Sequence, residues 1–162
     1  MKFTTMRTIN EIIIHCSATR PDQSVSAAQI DKYHKSKGWD CIGYHYYIRQ
    51  DGTIEPGRPV KKAGAHTLYH NQRTIGICYE GGVGNIGSTS INVDTRTIKQ
   101  KEALYYLIVI LAHAFPEIVK VSGHRDYNAT ACPCFDAHAE YQPIIDSIRS
   151  EKFDWLHQPK NS

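Results

Sequence analysis

Several features of membrane and nucleic-acid-binding proteins are missing from the sequence. The longest apolar run, ALYYLIVILAHAF at 103–115, is shorter than the roughly 20 residues that a membrane-spanning helix needs. The 19 lysine and arginine residues are spread along the chain and form no basic block of the kind that binds nucleic acid. We therefore expect a buried helix at 103–115, no transmembrane segment and no nucleic-acid partner.

Signals for export and for disulfide stapling are also missing. The start, MKFTTMRTINEIIIHC, has polar residues where a secretory signal would carry an apolar region of about 7–15 residues. Five cysteines are an odd number without regular spacing, which favours a reducing compartment and free thiols. We expect synthesis in the cytoplasm without a signal peptide.

What remains is the composition of an ordinary globular domain. Apolar residues make up 41% and charged residues 22% of 162 residues, close to the average for soluble proteins. This length suits one domain with its own core, so we predict a single, monomeric domain over residues 1–162. The net charge of +3 permits only a mild attraction to an anionic polymer.

Strand and helix patterns alternate along the chain. Short β-branched or aromatic runs predict strands, and helical spacing with N-cap residues predicts helices. Interleaved elements of this kind favour an α/β domain with a central mixed β-sheet flanked by helices. The predicted strands are 11–18, 44–49, 74–80 and 118–124, and the predicted helices run from Ser24 or Ser26 to Gly38, from Thr95 or Thr97 to about Phe115, and over about 142–156.

Two segments between these elements have patterns of their own. GYHYYIRQDGTIEPGRP predicts a hairpin that turns at Asp51-Gly52, with Tyr44, Tyr46 and Ile48 on one face by strand alternation. Residues 81–94 are rich in Gly, Ser and Asn and predict a mobile surface loop.

One stretch, GHRDYNATACPCFD at 123–136, concentrates side chains that can bind a metal. His124 and Cys132 lie eight residues apart, and His15 ends the first predicted strand. Zinc prefers nitrogen and sulfur ligands, and catalytic zinc keeps three protein ligands with one open position. Taken one by one, each residue has an ordinary alternative, because a histidine after a strand is often structural and the two thiols of CPC can be inert.

Four motifs together resemble a known family. IIIHCSAT, GWDCIGYHYYIRQDGTIEPGRP, GAHTLYHNQRTIGICYEGG and GHRDYNATACPCFD are similar, in order and spacing, to the zinc-dependent N-acetylmuramoyl-L-alanine amidases of the phage-lysozyme and peptidoglycan-recognition type. The resemblance covers about residues 12–136. It implies that Zn²⁺ is bound by His15, His124 and Cys132, whereas Cys134 reads as an idle thiol.

The resemblance also implies roles around the metal. Tyr44 corresponds to a catalytic tyrosine, and a phenol near the metal can stabilise an oxyanion. Thr130 stands where the phage enzyme has lysine and several animal amidases have threonine, so it can donate a hydrogen bond but brings no positive charge. Glu80 is the candidate general base, with a solvated strand-end acid as the alternative.

Substrate contacts are expected in the loop that lines the family's groove. His66 and Asn71 lie in that loop and are the candidate substrate-binding residues, although each can equally be a residue that stabilises the loop.

The implied activity is hydrolysis of the amide bond between N-acetylmuramic acid and L-alanine in peptidoglycan, by a bacteriolytic phage or prophage endolysin that reaches the cell wall after release or delivery. One alternative is a non-catalytic peptidoglycan-binding module, against which Cys132 argues. Another is a regulator of phage RNA polymerase, for which MKFTTMRTIN offers no identifiable signal.

Overall fold

The structure is a computed structural model that describes residues 7–157, with side chains described as far as Glu151. Within this range there are seven strands and three α-helices. Their bounds are β1 Glu11–Cys16, α1 Ala27–Ser36, β2 Tyr46–Ile48, β3 Ile54–Pro56, β4 Thr74–Tyr79, β5 Val83–Ile86, β6 Thr89–Asn92, α2 Ile98–Ala114, β7 Lys120–Gly123 and α3 Ala137–His157.

Five strands form the central sheet in the order β3-β2-β4-β1-β7. Strand β1 is parallel to β4 on one side and to β7 on the other, β2 is parallel to β4, and only β2 and β3 are antiparallel. All six residues of β1 are buried, which explains its continuous apolar run, since a strand between parallel neighbours has both faces covered. The predicted α/β class with a mixed sheet is confirmed.

Alternation divides β1 and β4 between two faces. Ile12, Ile14, Ile75 and Ile77 pack in the large hydrophobic core with apolar residues of α2 and α3. The intervening residues, which include His15 and Cys78, point to the opposite face because side chains of a strand alternate. One face of the sheet therefore stabilises the fold, and the other is available for polar groups.

Both predicted helix starts fall on the second of the two candidate caps. The side chain of Ser26 accepts a hydrogen bond from the Gln29 N–H and begins α1, and Thr97 does the same with Gln100 at the start of α2. Each forms a capping box, a reciprocal pair that satisfies two otherwise free backbone donors. Within residues 7–157, no helix combines the length and apolar character required to cross a bilayer.

The prediction of a mobile surface loop at 81–94 included no strand, and in this respect it is wrong. This segment contains the antiparallel hairpin β5–β6, with Ile86 opposite Thr89 and a tight turn between them. Gly87 has a φ of 59°, a left-handed conformation that glycine adopts without steric cost. The hairpin was missed because its strands are short, mostly exposed and interspersed with Gly, Ser and Asn residues that are also typical of loops.

The last helix begins earlier than the predicted 142. The Asp136 side chain accepts a hydrogen bond from the Ala139 N–H at 2.9 Å, so the helix is capped before Ala137 and continues through Pro143. Proline is favoured in the first turn of a helix, whereas Pro143 lies inside this one.

Candidate metal centre

Three side chains converge where β1 and β7 end. His15 is the fifth residue of β1, His124 directly follows β7, and Cys132 lies in the loop between β7 and α3. Because β1 and β7 are adjacent and parallel, their carboxyl ends meet at one edge of the sheet. The ligand atoms of His15, His124 and Cys132 all lie within 4.8 Å of one another.

This donor set fits zinc. Two imidazole nitrogens and one thiol sulfur are ligands that zinc prefers, and tetrahedral coordination would place them about 3.3–3.6 Å apart. The Cys132 Sγ atom lies 3.9 Å from His15 Nδ1, so only a small contraction is needed. The backbone N–H of Cys16 lies 3.2 Å from Cys132 Sγ and donates to it, which holds the sulfur beside the end of β1.

A chain of hydrogen bonds fixes the ring of His15. Its Nε2 atom lies 2.9 Å from Nδ1 of His66, and Nε2 of His66 lies 3.2 Å from the Thr74 hydroxyl. The hydroxyl in turn donates to the His70 carbonyl at 2.8 Å. Donation along this chain leaves Nδ1 of His15 unprotonated and free to bind a metal, as expected for a ligand held by an outer partner.

A third histidine lies behind His66. The ring centroids of His45 and His66 are 5.8 Å apart, and Nδ1 of His45 accepts a hydrogen bond from the Gly76 N–H at 3.0 Å. A Cβ atom at Gly76 would lie 2.5 Å from the His66 ring, so glycine is required for this close packing. Sequence reasoning missed this role, although a glycine inside a strand signals a close approach.

Burial keeps these histidines neutral. It lowers the pKa of His45 to about 4 and lowers the pKa of His15 and His66 well below the usual value. Neutral imidazoles can accept hydrogen bonds and bind metal ions, whereas imidazolium cannot.

Tyr44 lies next to the candidate ligands. Its ring centroid lies 5.1 Å from that of His15, and it packs with Ile42, Tyr47 and Cys78. The predicted pairing of Tyr44 with Tyr46 and Ile48 on one face is wrong, because β2 begins only at Tyr46 and the preceding residues are bent. A period of two does not apply outside the extended strand.

The remaining predicted residues lie around the centre. Thr130 is exposed, and its hydroxyl accepts a hydrogen bond from the Cys132 N–H at 3.2 Å. The side-chain oxygen of Asn71 accepts from the backbone N–H groups of His66 and Thr67, both at 2.9 Å. A groove beside the centre is lined by Trp39, Ala65, His66, Thr67, Leu68, Asn71, His124 and Asn128.

Glu80 is a buried carboxylate that holds neighbouring segments together. It is only 2% exposed, so it is not the solvated acid that was one alternative. Its carboxylate accepts hydrogen bonds from the Val25 N–H, from the Gln50 N–H and from Arg49. These contacts join the loop before α1 to the turn after β2, and they account for the burial of Glu80 without a role as general base.

Comparison with known proteins identifies the family. A family model described as N-acetylmuramoyl-L-alanine amidase matches residues 5–135. The chain belongs to this amidase family. The matched residues include His15, His124 and Cys132, and the match ends just before α3.

Relatives of this amidase include phage and animal proteins. The endolysin of Enterobacteria phage T3 is 37% identical over 136 residues, which are 84% of this chain and 87% of the relative. Amidase LysC from Clostridium intestinale superposes with a TM-score of 0.69 at 31% identity, covering 89% of this chain and 87% of LysC. Drosophila PGRP-LB superposes with a TM-score of 0.67 at 26% identity, covering 83% and 80% of the two chains.

Proposed function

We propose that this protein is a zinc-dependent amidase that hydrolyses the bond between N-acetylmuramic acid and L-alanine in peptidoglycan, as a phage or prophage endolysin. The observation that carries the proposal is the convergence of two imidazoles and one thiol, His15, His124 and Cys132, within 4.8 Å. Membership of the amidase family and the similarity to the T3 endolysin support the same activity.

The ligand residues are suited to catalytic rather than structural zinc. Structural zinc sites take four protein ligands, whereas three leave a position for water or substrate. Zinc bound to His15, His124 and Cys132 would polarise the amide carbonyl and make water a better nucleophile near neutral pH. Three convergent donors also favour an enzyme over a non-catalytic peptidoglycan-binding module.

Tyr44 and Thr130 are the proposed donors to the carbonyl oxygen as it gains negative charge. Burial raises the pKa of Tyr44 well above the usual value for a phenol, so its hydroxyl stays protonated and able to donate. The Thr130 hydroxyl accepts from the Cys132 N–H, which leaves its own proton for an outside acceptor. Donors placed in advance in this way stabilise a tetrahedral oxyanion.

The groove beside the centre is the proposed substrate site. Trp39 is 41% exposed and Leu68 is 64% exposed, so both offer apolar surface to a sugar or a stem peptide. His66 and Asn71 line the same groove. Asn71 acts there by holding the backbone of the groove loop, and His66 supports the ligand His15.

The site of action follows from the substrate. We propose that the protein reaches the bacterial cell wall after release or delivery from the cell that makes it, and that it acts as a monomer. Its net charge of +3 favours encounter with an anionic wall polymer.

The test combines metal analysis with a product assay. Purified protein should contain one zinc per chain and release L-alanine amino termini from purified peptidoglycan, and chelation should remove both until zinc is restored. Two variants test which of the two nearby thiols binds zinc. Cys132→Ser should lose zinc and activity, and Cys134→Ser should keep both. Zinc-loaded protein that releases no amino termini from wall or soluble fragments would contradict the proposal.

A further inference from the structure

Two thiols outside the proposed ligand set lie against each other. Cys16 is the last residue of β1, and Cys134 follows the loop ligand Cys132 by two residues. Their Sγ atoms are 3.9 Å apart, and both are free thiols. No step of the proposed hydrolysis uses either side chain.

The surroundings leave space for the two sulfur atoms to approach. A Cβ atom at Gly82 would lie 2.5 Å from Cys16 Sγ and 3.6 Å from Cys134 Sγ, so the absence of a side chain at Gly82 opens the space over both. The Cys134 thiol donates to the Gly82 carbonyl at 3.3 Å, which holds the sulfur close to Gly82.

The backbone of Cys134 is unusual for its residue type. Its φ of 73° is in the left-handed region, where glycine or asparagine would be expected. Because Cys134 adopts this conformation and its sulfur lies next to that of a second cysteine, the thiol is a candidate for a chemical role beyond filling space.

We propose that Cys16 and Cys134 form a thiol–disulfide modification site, which a low-molecular-weight disulfide such as glutathione disulfide oxidises to an internal disulfide. Cys134 is the more exposed of the two thiols and reacts first. Its thiolate forms a mixed disulfide and releases one glutathione, and Cys16 then attacks Sγ of Cys134 and releases the second. Two protein thiols are oxidised and one glutathione disulfide is reduced to two glutathione molecules, which take up the two protons.

The Cys16–Cys134 disulfide would join the two segments that carry the candidate metal ligands. The sulfur atoms need to move from 3.9 Å to about 2.05 Å, the length of a disulfide bond. The new bond ties the end of β1, which carries His15, to the loop that carries His124 and Cys132. It closes a loop between residues 118 positions apart, and cross-links that close long loops restrict the unfolded chain most.

The cross-link is read by mass and thermal stability without an amidase assay, so its failure can be distinguished from a failure of the proposed hydrolysis. Zinc-loaded, full-length protein is incubated for hours with glutathione disulfide at mildly alkaline pH, because thiol–disulfide exchange proceeds through the thiolate. We expect an intact mass lower by two hydrogens, a cross-linked peptide pair containing Cys16 and Cys134, retained zinc, and a melting temperature higher by about 5–10 °C.

Two serine variants serve as controls. Cys134→Ser should gain neither the cross-link nor the thermal shift, and Cys41→Ser should gain both. A glutathione adduct that persists on Cys134, an unchanged mass, or a disulfide that includes Cys132 and releases zinc would each overturn the proposal. These outcomes are read from the unsubstituted protein, so they stand even if a variant folds poorly.

Discussion

The two faces of the central sheet are built from the same strands but have opposite chemistry. On one face, Ile12, Ile14, Ile75 and Ile77 pack with α2 and α3 in a predominantly apolar core, and Cys132 packs only at its margin. On the other, His15 and Gly76 face the buried imidazoles of His66 and His45. The first face gains stability from apolar burial, which has no directional requirement. The second has polar groups that the interior accepts because hydrogen bonds compensate for their burial, as they do for His15, His45 and His66.

This difference indicates that stability and metal binding can be changed separately. A residue on the apolar face should affect unfolding with little effect on zinc, and a candidate ligand or its hydrogen-bond partner on the histidine face should mainly affect zinc at neutral pH. The following predictions test that separation.

The largest effect is expected from removing a ligand. His124→Ala should abolish zinc retention and activity, because two remaining ligands do not make a catalytic zinc site. The free energy of unfolding of the metal-free protein should change by less than about 1 kcal/mol, since His124 is only partly buried. Metal analysis and the amino-terminus assay provide the measurement. The control is His113→Ala, which lies on the exposed side of α2 and should behave like the unsubstituted chain. Full activity in His124→Ala would refute the assignment of His124 as a ligand.

The next effect concerns the apolar face. Leu104 in α2 is fully buried, and Leu104→Ala should lower the free energy of unfolding by about 2–5 kcal/mol through lost burial and the resulting cavity. Urea denaturation measures this loss. The neighbouring residue Tyr105 is 50% exposed, so Tyr105→Ala should cost much less. A large loss of zinc affinity in folded Leu104→Ala, measured by chelator competition, would show that the two faces are coupled.

Acid should destabilise the protein through its buried histidines. The pKa of His45 is about 4 in the folded protein and about 6.5 when unfolded. The unfolded state therefore binds the proton first, and stability falls as pH decreases from 6.5 to 4, by on the order of 3 kcal/mol for this residue. Urea denaturation across this pH range measures the loss.

His45→Asn is the matched control for the acid effect. Its side-chain oxygen can accept from the Gly76 N–H without titrating, so stability should fall less steeply between pH 6.5 and 4. An unchanged pH dependence in this variant would mean that His45 does not contribute.

The smallest of these effects concerns the outer partner of His15. His66→Leu removes the nearer acceptor for Nε2 of His15, at 2.9 Å, and leaves only the Thr67 hydroxyl at 3.3 Å, so it should weaken zinc binding about 10–100-fold. His66→Asn places an oxygen near the position of Nδ1 and should restore much of the affinity. Chelator competition measures both variants. Equal zinc affinity in His66→Leu and the unsubstituted protein would show that His66 does not orient the ligand.

The sequence predicts those features that depend on local signals. The apolar run of β1, the caps Ser26 and Thr97, and the motifs that hold the three candidate ligands are each readable within a few residues. The contacts that complete the centre join residues far apart in the chain. His15 and His66 are 51 positions apart, and Cys16 and Cys134 are 118 apart, so no short pattern records them. The hairpin at 83–92 was missed for a different reason, because its composition does not distinguish strand from loop.

The position of His15 on β1 has a consequence for the kinetics of metal exchange. β1 is hydrogen-bonded to strands on both sides, whereas Cys132 lies in a connecting loop, and loops open locally far more often than central strands do. Release of a zinc ion bound as proposed would therefore begin at the loop, with Cys132 leaving first and His15 last. His15 would then serve as the anchor from which a departing ion is recaptured when the loop closes again.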